Sequence, residues 1–267
     1  MKWLKRILYI GALVILVVLL VVLLMKNTFV KMGVERGGEY ATGQTTTLQS
    51  ADLSIFGGSL GLNGLDIANP KGYSTPSLLK LGKTAVTVKS SSLLSNEVVV
   101  NEILIDGMEV NLEQQGMKNN LGEVLDVIKA KTAAAGGADA ASKGSPGKSL
   151  KIGLIKMTNT KVTVKAGVGM TVNIPEISMV EPTNPDGRSM KIADVIGKVL
   201  IATAQAIAEN PQLPGELKGG LDSAMKGIND VTKQLQGGVK GIEDATKGIK
   251  DASKGLENLF KKPDEKK

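Results

Sequence analysis

Three groupings in this sequence hold side chains of the kind that do chemistry: Ser77 with Lys80, Asp106 with Glu109, and the run Asn184-Pro185-Asp186-Gly187. A serine near a lysine can form a nucleophile–base dyad, and two carboxylates can divide acid and base roles. The Asn184 run offers oxygens to a hard cation such as calcium. Each falls short on spacing. Isolated pairs three residues apart are usually turn chemistry and solvated charge. The Asn184 run lacks further oxygen ligands at regular intervals and reads as a turn. The chain has no His and no Cys, which removes Ser-His-Asp triads, Cys-His pairs and imidazole- or thiolate-ligated zinc and haem. The expectation is a non-enzyme with no cofactor and no metal.

Charge narrows the partners. The net +7 comes from 33 basic and 26 acidic residues intermixed along the chain, with Arg only at Arg6, Arg36 and Arg188. A nucleic-acid binder concentrates its basic residues and adds stacking aromatics, and this chain has only three Phe, three Tyr and one Trp. Nucleic acid is therefore not expected. The excess of Lys suits anionic lipid headgroups or a plain solvated surface.

Residues 1–6 (Met-Lys-Trp-Leu-Lys-Arg) precede an uninterrupted apolar run from Ile7 to Met25. Nineteen helical residues would span about 28 Å, close to a hydrocarbon core of ~30 Å. A cleavable signal has a shorter apolar core and a small-x-small cleavage site, both missing here. Residues 7–25 therefore read as a transmembrane signal anchor. The cluster Lys2, Lys5, Arg6 favours an inside N-terminus, with the long remainder exported.

The elements after the anchor are short and alternating. Residues 26–43 read as a stalk, and 44–188 as an antiparallel β domain. Leu60, Leu62, Leu65 and Ile67 alternate with a phase shift at Asn63-Gly64, as a bulge produces, before Asn69-Pro70 ends the strand. Val86 and Val88 mark another strand. Val98–Ile105 and Met108–Leu112 predict a hairpin turning at Asp106-Gly107. The run Ile105-Asp106-Gly107-Met108-Glu109-Val110 is echoed by Met157-Thr158-Asn159-Thr160-Lys161-Val162, predicting a second hairpin over Leu150–Lys165. Asn120-Leu121-Gly122-Glu123 has capping-box form and predicts a helix over 121–131. Residues 133–148, rich in Ala, Gly and Ser, read as a flexible loop. Ser189 would cap a covering helix over 189–209.

The last 50 residues look too polar to form a core. Residues 217–262 nonetheless carry a seven-residue period, with Lys226, Lys233, Lys240, Lys247 and Lys254 each followed two places later by Ile or Leu. The period predicts an amphipathic helical tail, weakened by its many glycines. Such a tail suits a solvated helix, one held by an envelope protein partner or a membrane surface, or a partly disordered segment.

Taken in order, these elements resemble the AsmA-like family, and in particular its short, single-span bacterial members. The resemblance rests on the anchor, Leu53-Ser54-Ile55-Phe56-Gly57-Gly58, Leu65-Asp66-Ile67-Ala68-Asn69-Pro70-Lys71-Gly72-Tyr73, Ser92-Leu93-Leu94-Ser95 and Ile103-Leu104-Ile105-Asp106-Gly107-Met108-Glu109-Val110. It covers residues 1–209. It implies an α+β protein: a transmembrane helix, a curved antiparallel sheet packed with a few helices, and here an added helical tail. It also implies a place in the bacterial inner membrane, with the bulk of the chain in the periplasm. Larger relatives are implicated in moving phospholipids and maintaining the outer membrane. On that basis Leu62, Ile67, Val86, Val88, Ile103 and Ile105 would form an apolar, lipid-facing sheet surface. The competing reading makes them ordinary core beneath the covering helix. A scaffold whose tail recruits a partner, without any lipid ligand, is the alternative function.

Overall fold

The computed structural model describes residue 3 and residues 24–116, 118–135, 148–166, 168–184, 190–215 and 217–230. The anchor segment 7–25 lies outside the described residues except for its last two, and so does the tail beyond 230. Among the described residues no helix is long and apolar enough to cross a membrane.

The described residues form a nine-stranded open sheet with four helices. Helix α1 (24–42) precedes β1 (Thr46–Ser54), β2 (Ser59–Ala68), β3 (Ser77–Val88), β4 (Glu97–Gln115) and the short β5 (Lys118–Asn119). Then come α2 (Asn120–Ala135), β6 (Ser149–Thr158), β7 (Thr160–Ala166), β8 (Val168–Ile174), β9 (Ile177–Val180), α3 (Ile192–Glu209) and α4 (217–230).

The α+β class holds, but the sheet is mixed where an antiparallel one was expected. Strands β1 to β4 form an antiparallel meander. On its other side β4 pairs in parallel with β6 over its first half and with β7 over its second. Strand β9 closes on β6 and β8 on β7, both antiparallel. The parallel pairing has a plain cause. A parallel neighbour needs a long crossover, and β5, α2 and the residues up to Lys148 supply one.

Both predicted hairpins are therefore absent. Strand β4 runs unbroken through Asp106-Gly107, and β6 passes into β7 through Asn159 without folding back. The sequence echo is nevertheless in register. Ile105 lies beside Met157, Asp106 beside Thr158, Glu109 beside Lys161 and Val110 beside Val162. Repeated residues meet across a parallel ladder.

A crease runs across the sheet at this level. Gln49, Gly64, Gly82, Gly107 and Asn159 fall on one row of five strands, and the ladder skips each in turn. Gly64, Gly107 and Asn159 have φ of 61°, 76° and 52°. Gly and Asn tolerate this left-handed region, so the crease sits where the residues permit it. Side chains of Thr158 and Asn159 donate to Asp106 Oδ1 at 3.0 and 2.6 Å, tying the two kinks together.

The expected stalk 26–43 is instead the larger part of α1, which packs on the domain. Asn27 Oδ1 and Glu35 Oε1 accept the N–H groups of Leu53 and Leu48, both at 2.9 Å, and Lys26 Nζ donates to the Leu53 carbonyl. The helix thus protects the exposed edge of β1 from pairing with another chain. Its glycines obscured it in the sequence and have a packing reason. A Cβ at Gly37 would come within 2.8 Å of Ile192, and one at Gly38 within 2.5 Å of Thr46.

The other helices refine their expected bounds. Helix α2 extends the predicted 121–131 and takes in the first three residues of the predicted loop 133–148; residues 136–147 lie outside the described residues. Its cap is Asn119, whose Oδ1 accepts the Gly122 N–H at 2.7 Å, one residue earlier than the capping box proposed. The covering helix 189–209 begins at Ile192, where Asp194 Oδ2 accepts the Lys191 N–H at 2.7 Å; Ser189 lies outside the described residues. The first turns of the tail join the core. Leu217, Leu221, Ala224 and Ile228 are buried at helical spacing, so the last 50 residues are not uniformly solvated.

Candidate functional site

An apolar cavity of about 470 Å³ lies between one face of the sheet and helices α1 and α3. Strands β1 to β4 form its floor; Phe29, Val30 and Val34 of α1 and Val195, Ile196 and Val199 of α3 form its walls. Among the described residues, Thr84 and Lys148 are the only polar side chains along its lining. The helices cover the sheet without filling the space beneath them.

Leu62, Ile67, Val86, Val88, Ile103 and Ile105 all line this one cavity. Three strands bring them together: β2 contributes two, β3 two and β4 two. The inner residues Ile67 and Ile105 are fully covered, whereas Leu53, Leu60, Leu62 and Leu93 near the other end are half-exposed. The cavity therefore opens toward the β1–β2 turn. Lys148 Nζ donates to the carbonyls of Leu93 and Ser95, at 2.8 and 3.1 Å, and holds the connection beside that opening.

The α3 wall is the covering helix expected from the sequence, whereas the α1 wall was not assigned from it. Val30 and Val34 stand four apart, as do Ile192 and Ile196, and this spacing is the local sign of an apolar helix face. In α1 it is hidden by Gly33, Gly37 and Gly38.

The groupings with chemical potential are placed differently. Ser77 Oγ donates to Asp66 Oδ2 at 2.9 Å, and Lys80 Nζ lies 3.8 Å from the same oxygen. Asp66 stands between them, so their side chains meet a carboxylate and form no dyad. Asp106 is exposed at the crease; hydrogen bonds from Asn159 and Thr158 hold its carboxyl below the ordinary range. Asn184 donates through Nδ2 to Asp194 Oδ2 at 3.2 Å, and residues 185–187 lie outside the described residues. Among the described residues no group of His, Cys, Asp and Glu is arranged to hold a metal ion.

Sequence reasoning missed one polar cluster, at the end of the sheet away from the opening. Glu113 is buried and accepts the N–H groups of Ser74 and Thr75 at 2.7 and 2.6 Å, together with the Thr75 hydroxyl. Burial opposes its ionisation, but these donors outweigh it and hold the carboxyl down at about 2. Asn120 links the cluster to β4, accepting the Glu113 N–H at 2.9 Å and donating to Asn69 at 2.8 Å. Nearby, Tyr73 donates to Glu123 Oε1 at 3.0 Å; burial and that carboxylate push its hydroxyl up to about 12. Every group here finds its partner inside the cluster, as a latch for the 69–76 loop would.

No protein-family model matches this chain, and no curated protein matches it either.

Proposed function

We propose that this chain is a non-enzymatic, membrane-anchored protein that shelters a lipid acyl chain. The cavity carries this reading: about 470 Å³, bounded by aliphatic side chains and Phe29, open at one end and, among the described residues, lined by two polar ones. Its size falls in the range of about 300–1,000 Å³ usual for small-ligand sites, but it lacks the several convergent polar groups that orient a polar ligand. An acyl chain asks for none. Each methylene transferred from water would contribute on the order of 0.8 kcal/mol, offset in part by ordering of the chain.

The N-terminal run supplies the place. Ile7–Met25 as an inner-membrane anchor would leave the sheet domain in the periplasm, as in AsmA-like proteins, where a role in envelope maintenance would follow. The ligand's headgroup would remain outside, near Lys148. The mechanism is passive: the sheet face shields the chain, and no bond is made or broken.

Photo-crosslinking tests this directly. The full chain is expressed in membranes containing phospholipid with a diazirine in its acyl tail, then irradiated and mapped by mass spectrometry. Crosslinks are expected in the peptides bearing Leu62, Val86 and Ile103, and are expected to vanish in Ile196→Trp, which fills the cavity from α3. Crosslinks confined to residues 7–25 would overturn the proposal. Truncation is a poor substitute, because cutting within α1 removes a wall.

A further inference from the structure

We infer that the open end of the sheet is a membrane-docking surface, whose two loop tips enter the lipid headgroup layer beside the anchor. The β1–β2 turn, the β3–β4 connection and the start of α1 all lie at this end. Phe56 at the first tip is 94% exposed and Leu94 at the second 92%, while Leu24 and Phe29 on α1 are 74% and 50% exposed. Phe56, Leu94 and Leu24 thus face outward at one end of a domain whose other apolar residues are mostly covered, with Phe29 half-exposed at the cavity wall beside them. A cluster of this kind marks a contact surface.

The tips are held and not loose. The Val88 N–H donates to the Gly58 carbonyl at 2.8 Å, and Ser90 Oγ to the Phe56 carbonyl at 3.4 Å, fastening the two loops to each other. Lys148 grips the second loop through Leu93 and Ser95. Phe56 and Leu94 are therefore presented at a fixed height.

The run Ile7–Met25 decides what covers them. It ends one residue before Lys26, whose ammonium donates to the Leu53 carbonyl, three residues before Phe56. An apolar run that, as a helix, would be long enough to cross a bilayer thus leads into the domain at the end where the apolar tips project. A bilayer containing that helix would have its surface against this end. Aromatic and aliphatic tips beside basic side chains are suited to that interface. Docking would turn the cavity mouth, between Leu60 and Leu93, toward the lipid. It rests on the anchor reading of Ile7–Met25 and holds whether or not an acyl chain enters the cavity.

The chain has no cysteine, so single substitutions can be labelled cleanly. Full-length Phe56→Cys, Leu94→Cys and, at the opposite end, Lys118→Cys would carry a solvent-sensitive fluorophore. Each is placed as single copies in nanodiscs of phosphatidylethanolamine and phosphatidylglycerol and titrated with iodide. Several-fold weaker quenching and blue-shifted emission are expected at positions 56 and 94, with position 118 fully quenched. Equal quenching at all three would overturn docking. So would protection that appears only in discs holding two copies, which would assign the surface to a second copy of the chain. Failure to enter the discs would overturn both the anchor and the docking. The same signals in an Ile196→Trp background separate docking from occupation of the cavity.

Discussion

Where α2 covers it the sheet is packed solid; beneath α1 and α3 it leaves a cavity. Above Gly107, β4 lies against α2, and Leu112, Leu121, Leu125, Val162 and Val164 have no exposure at all. The cavity floor, made by β2, β3 and the first half of β4, crosses the crease to reach Leu65, Ile67, Leu79 and Leu81, and in its lower half Leu60 and Leu62 stay half-exposed. The difference lies in the cover. Helix α2 follows β4 and β5 directly in the chain and packs on β4, whereas α1 and α3 supply the walls of the cavity. Met108 and Met157 mark the boundary, both within 3.9 Å of the Thr203 hydroxyl on α3. One continuous sheet is thus packed tightly beneath α2 and left with open space beneath α1 and α3.

Paired truncations should break this contrast most visibly. Leu125→Ala removes a fully buried side chain from the packed half and should cost about 2–5 kcal/mol. Leu62→Ala, beside space that already exists, should cost less than about 1.5 kcal/mol. Thermal unfolding of the full chain in detergent, followed by circular dichroism, measures both. Similar losses would mean that the lower half is as tightly packed as the upper.

The Glu113 latch gives a middle-sized effect confined to the upper half. Its carboxyl is depressed from an ordinary 4.5 to about 2, so its contribution is complete above pH 4.5 and disappears as pH falls toward 2. Glu113→Gln should destabilise by about 1.5–3 kcal/mol at neutral pH, the worth of hydrogen bonds to a charged group. It should also flatten the acid dependence over that window. Denaturant titrations at neutral and acidic pH would show an unchanged slope if another group controls the step.

The smallest effect tests the crease itself. A Cβ at Gly107 would meet nothing within 4 Å, so Gly107→Ala reports only the cost of φ 76°, about 1–2 kcal/mol. Asn159→Gly should be close to neutral in backbone terms while losing the bond to Asp106. Stability unchanged by Gly107→Ala would show that the kink is not required by the packing on either side.

Much of this was legible in the chain itself, for reasons that can be stated residue by residue. Alternation marked the strands of Leu60–Ile67 and Val86–Val88, and the phase slip at Asn63-Gly64 marked one point of the crease. The six apolar positions assigned to one surface do share one cavity. What failed depended on pairing. Asp106-Gly107 and the stretch at Asn159 have turn chemistry, yet the left-handed conformation they permit serves a kink as well as a hairpin, and only neighbouring strands decide which.

Local composition and period thus determined where most strands and the helices α2 and α3 form, which positions face inward, and that no imidazole or thiol chemistry is available. Tertiary structure alone decided that β4 has parallel neighbours, that residues 24–42 pack as a helix on the β1 edge, and that a buried carboxylate latches the 69–76 loop. It also decided that the inward face is partly covered and partly open. These outcomes depend on contacts between residues tens of positions apart, whose energies are set by register and by the space left between layers, and a short window of sequence contains neither.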